Sequence, residues 1–252
     1  MAAMTGPLRF VGLACWLSWR AARGIVTRCW REDPLVYAAT ASAIKQSLWR
    51  QLPMVAAMAA LIGALTGILA GQVLNVYKAD LLVMASMTDA LFRHILPLVI
   101  GIFASGSTAV DLASRMGAMR LANEIEALEC MEHDPAAFVL GPTLAGVMIA
   151  NPPQLAVGAV ISLLAANVTV SATANIGWHD LYTLTLTDRS GLALLTGLAK
   201  TTLFSLVAFA VGATIGSRPV RVPADIGKHA GEAFRTGLLA VLATATAWVA
   251  LT

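Results

Sequence analysis

Five carboxylates, Glu124, Glu126, Glu129, Glu132 and Asp134, fall within eleven consecutive positions of a chain whose 252 residues include only fourteen acids. Acids this dense could ligate a metal, run acid–base chemistry or meet a basic surface on a partner. Metal binding is not supported: His133-Asp134 is an adjacent pair at a helix end, and His229 stands alone. Nucleophilic catalysis is not supported either. Ser105 and Ser107 lie in A-S-G-S-T-A near His94, but Ser105 and His94 share one apolar run and stand about 16 Å apart along a helix axis. The closest approach to a phosphate-binding loop, Gly191 to Thr201, lacks the required Gly-Lys pair, since Gly197 and Lys200 are not adjacent. The chain is therefore expected to be no enzyme, with no catalytic residue, metal or cofactor of its own; if ATP is used, another chain binds it.

The acids must be positioned by a very apolar scaffold. Apolar residues make up 58% of the sequence, charged residues 12%, and the mean hydropathy is +0.75, values that point to an integral membrane protein. The net charge of +3 does not indicate nucleic acid, because the basic residues flank apolar runs and so suit an anionic membrane surface. Cys15, Cys29 and Cys130 have no metal-ligand spacing and read as small buried or interfacial apolar residues.

Runs long enough to cross a bilayer cover Pro53 to Val76, Leu91 to Leu112, Phe138 to Ala174, Leu192 to Ile215 and Ala233 to Leu251. The third is expected to be broken or kinked at Asn151-Pro152-Pro153, since neither proline supplies an amide donor. It is either a short interfacial segment followed by a span or one long broken span. The fold is thus all-α with five spans, divided into an N-terminal interfacial segment (1–50) and a transmembrane domain (51–252).

Lysine and arginine placement sets the orientation. Arg9, Arg20, Arg23, Arg28, Arg31, Lys45 and Arg50 precede the first span, and Arg218, Arg221, Lys228 and Arg235 lie between the fourth and fifth. The N-terminus is expected in the cytoplasm, the C-terminus outside, and the acidic island on the cytoplasmic side. The first five arginines fall within an arc of roughly 140° on a helical wheel, opposite Trp19, Ala22, Ile25, Val26, Cys29 and Trp30. That is the pattern of a helix lying in the membrane interface; the alternative, an extra sixth span, would put Arg20 and Arg23 in lipid at a cost.

Two features concern the spans themselves. Gly63, Gly67 and Gly71 form a tandem small-residue face, repeated in spacing by Gly212 and Gly216, for close packing within the subunit or across a dimer. Lys200 lies inside the fourth run. It serves either a function in the membrane or only reaches toward the outer interface.

Within the island, Leu121, Ile125 and Leu128 share one helical face, with Glu126 and Glu129 beside it. Asp134-Pro135 ends the helix. An apolar ridge with an acidic flank suits a docking helix.

The stretch M-R-L-A-N-E-I-E-A-L-E-C-M-E-H-D-P resembles the signature of the MlaE/YrbE permeases of MCE (mammalian cell entry) lipid transport systems. The matching positions are Met119, Arg120, Glu124, Ile125, Ala127, Leu128, Glu129, Met131, Asp134 and Pro135. The likeness extends to Arg93 and Pro97, to the glycine-rich first span, and to Lys200-Thr201 with Phe204.

The resemblance implies a dimeric ABC transporter permease with five spans and an N-terminal interfacial helix. The island would be the coupling helix, seated on a cytoplasmic ATPase that binds ATP and magnesium, with Leu121, Glu124, Ile125, Leu128, Glu129, Met131 and Asp134 making the contact. An MCE-domain protein on the outer side of the bacterial inner membrane would exchange phospholipid or another hydrophobic substrate with the permease. Arg93, His94 and Lys200 are the candidate polar residues of the lipid path.

The chain also departs from the family pattern. Arg93-His94-Ile95-Leu96-Pro97 stands where the family shows R-E-L-G-P, and Ser105-Gly106-Ser107-Thr108-Ala109 where it shows A-G-R-x-G. Arg115 replaces an acid, and Ala245 a frequent aspartate. This loss outside the island suggests one half of a heterodimeric permease. Two other classes compete: an ATP-independent secondary transporter or channel, for which Asp111 is the candidate buried carboxylate, and a non-transporting membrane scaffold.

Overall fold

The computed structural model of the chain describes residues 7–29, 34–77, 82–131, 136–174 and 189–251. The described residues are helical throughout apart from short turns, and five helices are long and apolar enough to cross a membrane: Tyr37–Leu74, Ser86–Leu121, Phe138–Thr173, Gly191–Gly216 and Pro223–Ala250. The chain is a multi-pass, all-α membrane protein.

Helix α1 (Pro7–Cys29), α2 (Pro34–Tyr77) and the last helix, α9 (Pro223–Leu251), each begin on proline. There the missing N–H costs nothing and the fixed φ favours the first turn. In α9, Asp225 also accepts hydrogen bonds from the backbone N–H groups of Val222 (3.3 Å) and Arg221 (3.4 Å), satisfying donors that a helix start leaves unpaired. The second span is assembled from α3 (Leu82–Ala90), α4 (Leu96–Ala104) and α5 (Val110–Leu121), joined by π-helical turns at Leu91–Ile95 and Ser105–Ala109. A short helix, α6 (Glu124–Cys130), and a third π-helical turn (Ala136–Leu140) lead to α7 (Gly141–Ala174), followed by α8 (Arg189–Gly216).

Three expectations are corrected. Helix α7 runs unbroken through Pro152 and Pro153; flanking turns carry the helix past two missing donors, as membrane helices tolerate. Helix α2 begins at Pro34 and passes through Pro53, so the first span is longer than expected and position 50 lies inside a helix. Of the two alternatives for the cysteines, burial is excluded for Cys15 and Cys130, which are exposed.

The chain falls into two compact units. One comprises residues 1–48, 101–150 and 203–252; the other comprises 49–100 and 151–202. Every boundary between them lies inside a helix.

In the first unit, Leu17 and Ala21 of α1 pack with Leu112 and Met116 of α5, Val139 and Leu140 of the third π turn, Leu144 of α7, and Phe209 and Ala213 of α8. Helix α1 therefore buries one stripe against protein while Val11, Trp16 and Trp19 stay exposed, as an interfacial helix anchored to its own subunit requires. Gly212 lets α8 meet the second span closely, since a β-carbon there would lie 2.8 Å from Ala109 Cα.

In the second unit, the expected glycine face is used. A β-carbon on Gly63, Gly67 or Gly71 of α2 would collide with Ser162, Thr169 or Thr173 of α7, respectively. The tandem motif thus seats α2 against α7 within the subunit. Hydroxyls on that face are satisfied locally: Thr169 Oγ1 donates to Ala165 O (3.0 Å) and Ser162 Oγ to Ala159 O (3.0 Å). Gln154 Nε2 also donates to Gln51 Oε1 across the same helix pair at 3.2 Å.

Candidate functional site

The first candidate starts from a proline. An α-helix would pair the carbonyl of Arg93 with the amide of residue 97, but Pro97 has none. The chain widens into the π turn Leu91–Ile95, in which the amide of Leu96 bonds to Leu91 O. The Arg93 carbonyl is left for another donor, and Lys200 supplies it: Nζ donates to Arg93 O at 2.9 Å and lies 3.1 Å from His94 Nδ1. A lysine ammonium only donates, so His94 Nδ1 accepts and carries no proton in this arrangement. Gly197, one turn before Lys200, brings α8 close enough for this contact; a β-carbon there would lie 2.6 Å from Phe92 O.

Lys200 is 4% exposed, about 13 Å along the helix from the start of its span at Gly191. Its head group is turned inward to a carbonyl and an imidazole, so it does not reach for the interface. A charge so placed is costly unless bonded, and here the bonds are made. Arg93, half-buried, pairs through Nη2 with Asp89 Oδ1 at 3.1 Å. The three residues chosen from sequence for the membrane polar site are thus brought together. Sequence reasoning missed the role of Pro97: proline four residues after Arg93 signals a carbonyl in need of a donor.

Ser105 and Ser107 lie on the second π turn and bond back to their own helix, through Ile102 O (2.7 Å) and Phe103 O (2.8 Å). Neither hydroxyl is poised as a nucleophile.

The acidic island is the second candidate. A single helix from Leu121 through Leu128 was expected; the chain instead breaks at Ala122-Asn123. Asn123 has φ of +58°, a left-handed conformation that asparagine tolerates better than most residues. Its N–H closes α5 on Arg120 O (3.1 Å), and its carbonyl accepts the Ala127 N–H (3.0 Å) in the first turn of α6. One residue ends one helix and starts the next. The continuous ridge is corrected accordingly. Leu121 belongs to α5 and is exposed, Ile125 is buried at 8%, and Leu128 is half-buried. Glu124 and Glu126 are exposed, and Met131 is 65% exposed. Glu129 lies on α6, but its side chain falls outside the described residues, as do Glu132, His133, Asp134 and Pro135. The outward surface is therefore made by Leu121, Glu124, Glu126 and Met131, while Ile125 anchors α6 to its own unit.

Residues 40–251 match the family described as Permease MlaE. A protein of Rickettsia typhi described as a probable ABC transporter permease is 20% identical over 159 residues, covering 63% of this chain and 61% of that relative. The match thus spans less than two thirds of the relative's length. With the five spans and the family match extending from the first span to the last, the chain belongs to the MlaE permease family.

Proposed function

We propose that this chain is the membrane subunit of an ABC transporter that moves phospholipid or another hydrophobic substrate. A separate cytoplasmic ATPase drives it, and an MCE-domain protein works with it on the outer side of the bacterial inner membrane. The family match supports the permease role and implies the ATPase. The observation that carries the coupling assignment is α6 itself: a short acidic helix set off by Asn123 between the second and third spans, with Glu124, Glu126 and Met131 exposed and Ile125 holding it in place. The basic residues before the first span and between the fourth and fifth support a cytoplasmic position for that helix, with the N-terminus inside and the C-terminus outside.

In this reading, Leu121, Glu124, Leu128, Glu129, Met131 and Asp134 meet the ATPase, and Ile125 supports them. Arg93, His94 and Lys200 form a polar site on the lipid path. A second permease chain, a copy or a paralogue carrying the family residues absent here, completes the dimer.

The test is purification of the tagged chain from native membranes with mass spectrometry of everything retained. An ABC ATPase, an MCE-domain protein and a lipid are expected in stoichiometric amounts. Recovery of the intact chain with no ATPase under any mild extraction contradicts the transporter reading. Two copies of this chain with no second permease exclude the heterodimer.

A further inference from the structure

A cavity of about 860 Å³ in the first unit shares only Ile125 with the two sites described above. Its walls carry four arginines, Arg9 and Arg20 of α1, Arg120 of α5 and Arg218 just after α8, and no acidic side chain among the described residues. Its floor is apolar and comes from Phe10, Leu13, Trp16 and Leu17 of α1, with Ile125, Val139 and Leu140 opposite. Arg218 is neutralised by Glu232 at 2.7 Å, and Arg20 lies over the Trp16 ring at 4.4 Å from its centre. Arg9 and Arg120 form no ion pair with any described residue, and Arg120 Nε is buried without a hydrogen-bond partner. Burying part of an arginine without a partner is costly, so Arg120 is left to pair with an anion that no described residue provides.

The apolar half decides which anion. Leu13 and Trp16 line the cavity and are also 46% and 53% exposed, beside Val11 at 58% and Trp19 at 69%. The groove therefore opens onto the apolar outer stripe of a helix whose tryptophans suit headgroup depth. A free phosphate would leave that floor wet; an anionic phospholipid covers it. We infer that this groove binds one anionic phospholipid, its phosphate held by Arg9, Arg20 and Arg120 and the start of an acyl chain lying on Phe10, Leu13 and Trp16. Arginine suits the task because its planar fork pairs two phosphate oxygens at once. Ile125 of α6 forms part of the same wall, so the bound lipid touches the helix proposed to couple to the ATPase. The site itself rests only on the membrane reading and stands whether or not α6 couples.

The experiment reconstitutes the full-length chain into phosphatidylcholine vesicles containing a minor fraction of photoactivatable phosphatidylglycerol and maps the labelled peptides. Label is expected to concentrate on α1 around Leu13–Trp16 and on the Val139–Leu140 segment. It should fall about tenfold in Arg9→Gln/Arg20→Gln, the loss expected from removing charge-assisted bonds, and should be largely retained in Arg9→Lys/Arg20→Lys. Circular dichroism and unchanged extraction behaviour establish that the glutamine variant is folded. If it is not, the single variant Arg9→Gln, at an exposed position, is read instead, with a smaller loss expected. Equal labelling by photoactivatable phosphatidylcholine overturns the inference, as does label spread evenly over all exposed apolar helices. Displacement of the label by inorganic phosphate alone would assign the groove to a free anion and also overturn it. Loss of label when the ATPase co-assembles would give the groove to that protein. A failure of ATPase binding elsewhere in the molecule leaves these outcomes untouched.

Discussion

The acidic helix α6 and the Lys200 cluster solve opposite problems with the same device, an irregular helix. At α6 the irregularity is a left-handed asparagine that separates seven residues from the preceding span and leaves Glu124, Glu126 and Met131 exposed. At Lys200 it is a π turn before Pro97 that frees a carbonyl inside a span and lets a buried ammonium bond to it. One breaks the helix to present charge outward; the other loosens it to keep charge inside. At the second, the same ammonium also lies 3.1 Å from His94 Nδ1.

The largest effect is expected at the outward helix. Leu128→Arg with Glu129→Arg adds two positive charges where an acidic, partly apolar surface is proposed to dock, and should lower ATPase recovery by about two orders of magnitude. Membrane insertion should be unchanged, as checked by extraction and protease protection.

Next is the close packing of α2 on α7. Gly63→Leu forces a side chain into the backbone of Ser162 and should cost about 3 kcal/mol or more, read as loss of monodisperse protein in detergent. Gly191→Leu, where a β-carbon meets nothing within 4 Å, should be tolerated.

At the cluster itself, Lys200→Met removes the donor to Arg93 O and should destabilise by about 1–3 kcal/mol while reducing lipid transfer and sparing ATPase recovery. Pro97→Ala restores an amide near that carbonyl. The double variant should therefore lose less than the sum of the two single changes in thermal-shift measurements. Strict additivity would show that Lys200 does not compensate for the proline.

The smallest effect is expected at the hinge of α6. Asn123→Ala should cost about 1 kcal/mol by forcing an unfavourable residue to φ of +58°, whereas Asn123→Gly should be nearly neutral. Both are readable as shifts in thermal unfolding.

Much of this architecture was legible from residue order. The five spans, the separate first helix and the glycine face of α2 follow from hydropathy, arginine placement and small-residue spacing, because those patterns report directly on what each face touches. The island was legible as a charged helix, but not its break: Asn123 sits in a run that otherwise favours helix, and only a tertiary anchor such as Ile125 makes the left-handed turn the better choice. At Pro152-Pro153 it was the expected break that failed, since the helix continues past two missing donors. Lys200 was legible as an outlier in an apolar run, while its partner was not, because that partner is a backbone carbonyl exposed by a proline on another helix. The arginine groove was invisible for a related reason: Arg9, Arg20, Arg120 and Arg218 are far apart in sequence and are gathered only by the fold.

The most direct test crosses the two regions in one preparation. The Leu128→Arg/Glu129→Arg and Lys200→Met variants are purified beside the unaltered chain, with ATPase recovery and lipid transfer measured on each. The account predicts that the first variant loses the ATPase and with it transfer, while the second keeps the ATPase and loses transfer alone. Normal ATPase recovery with the first variant, correctly inserted, would contradict it.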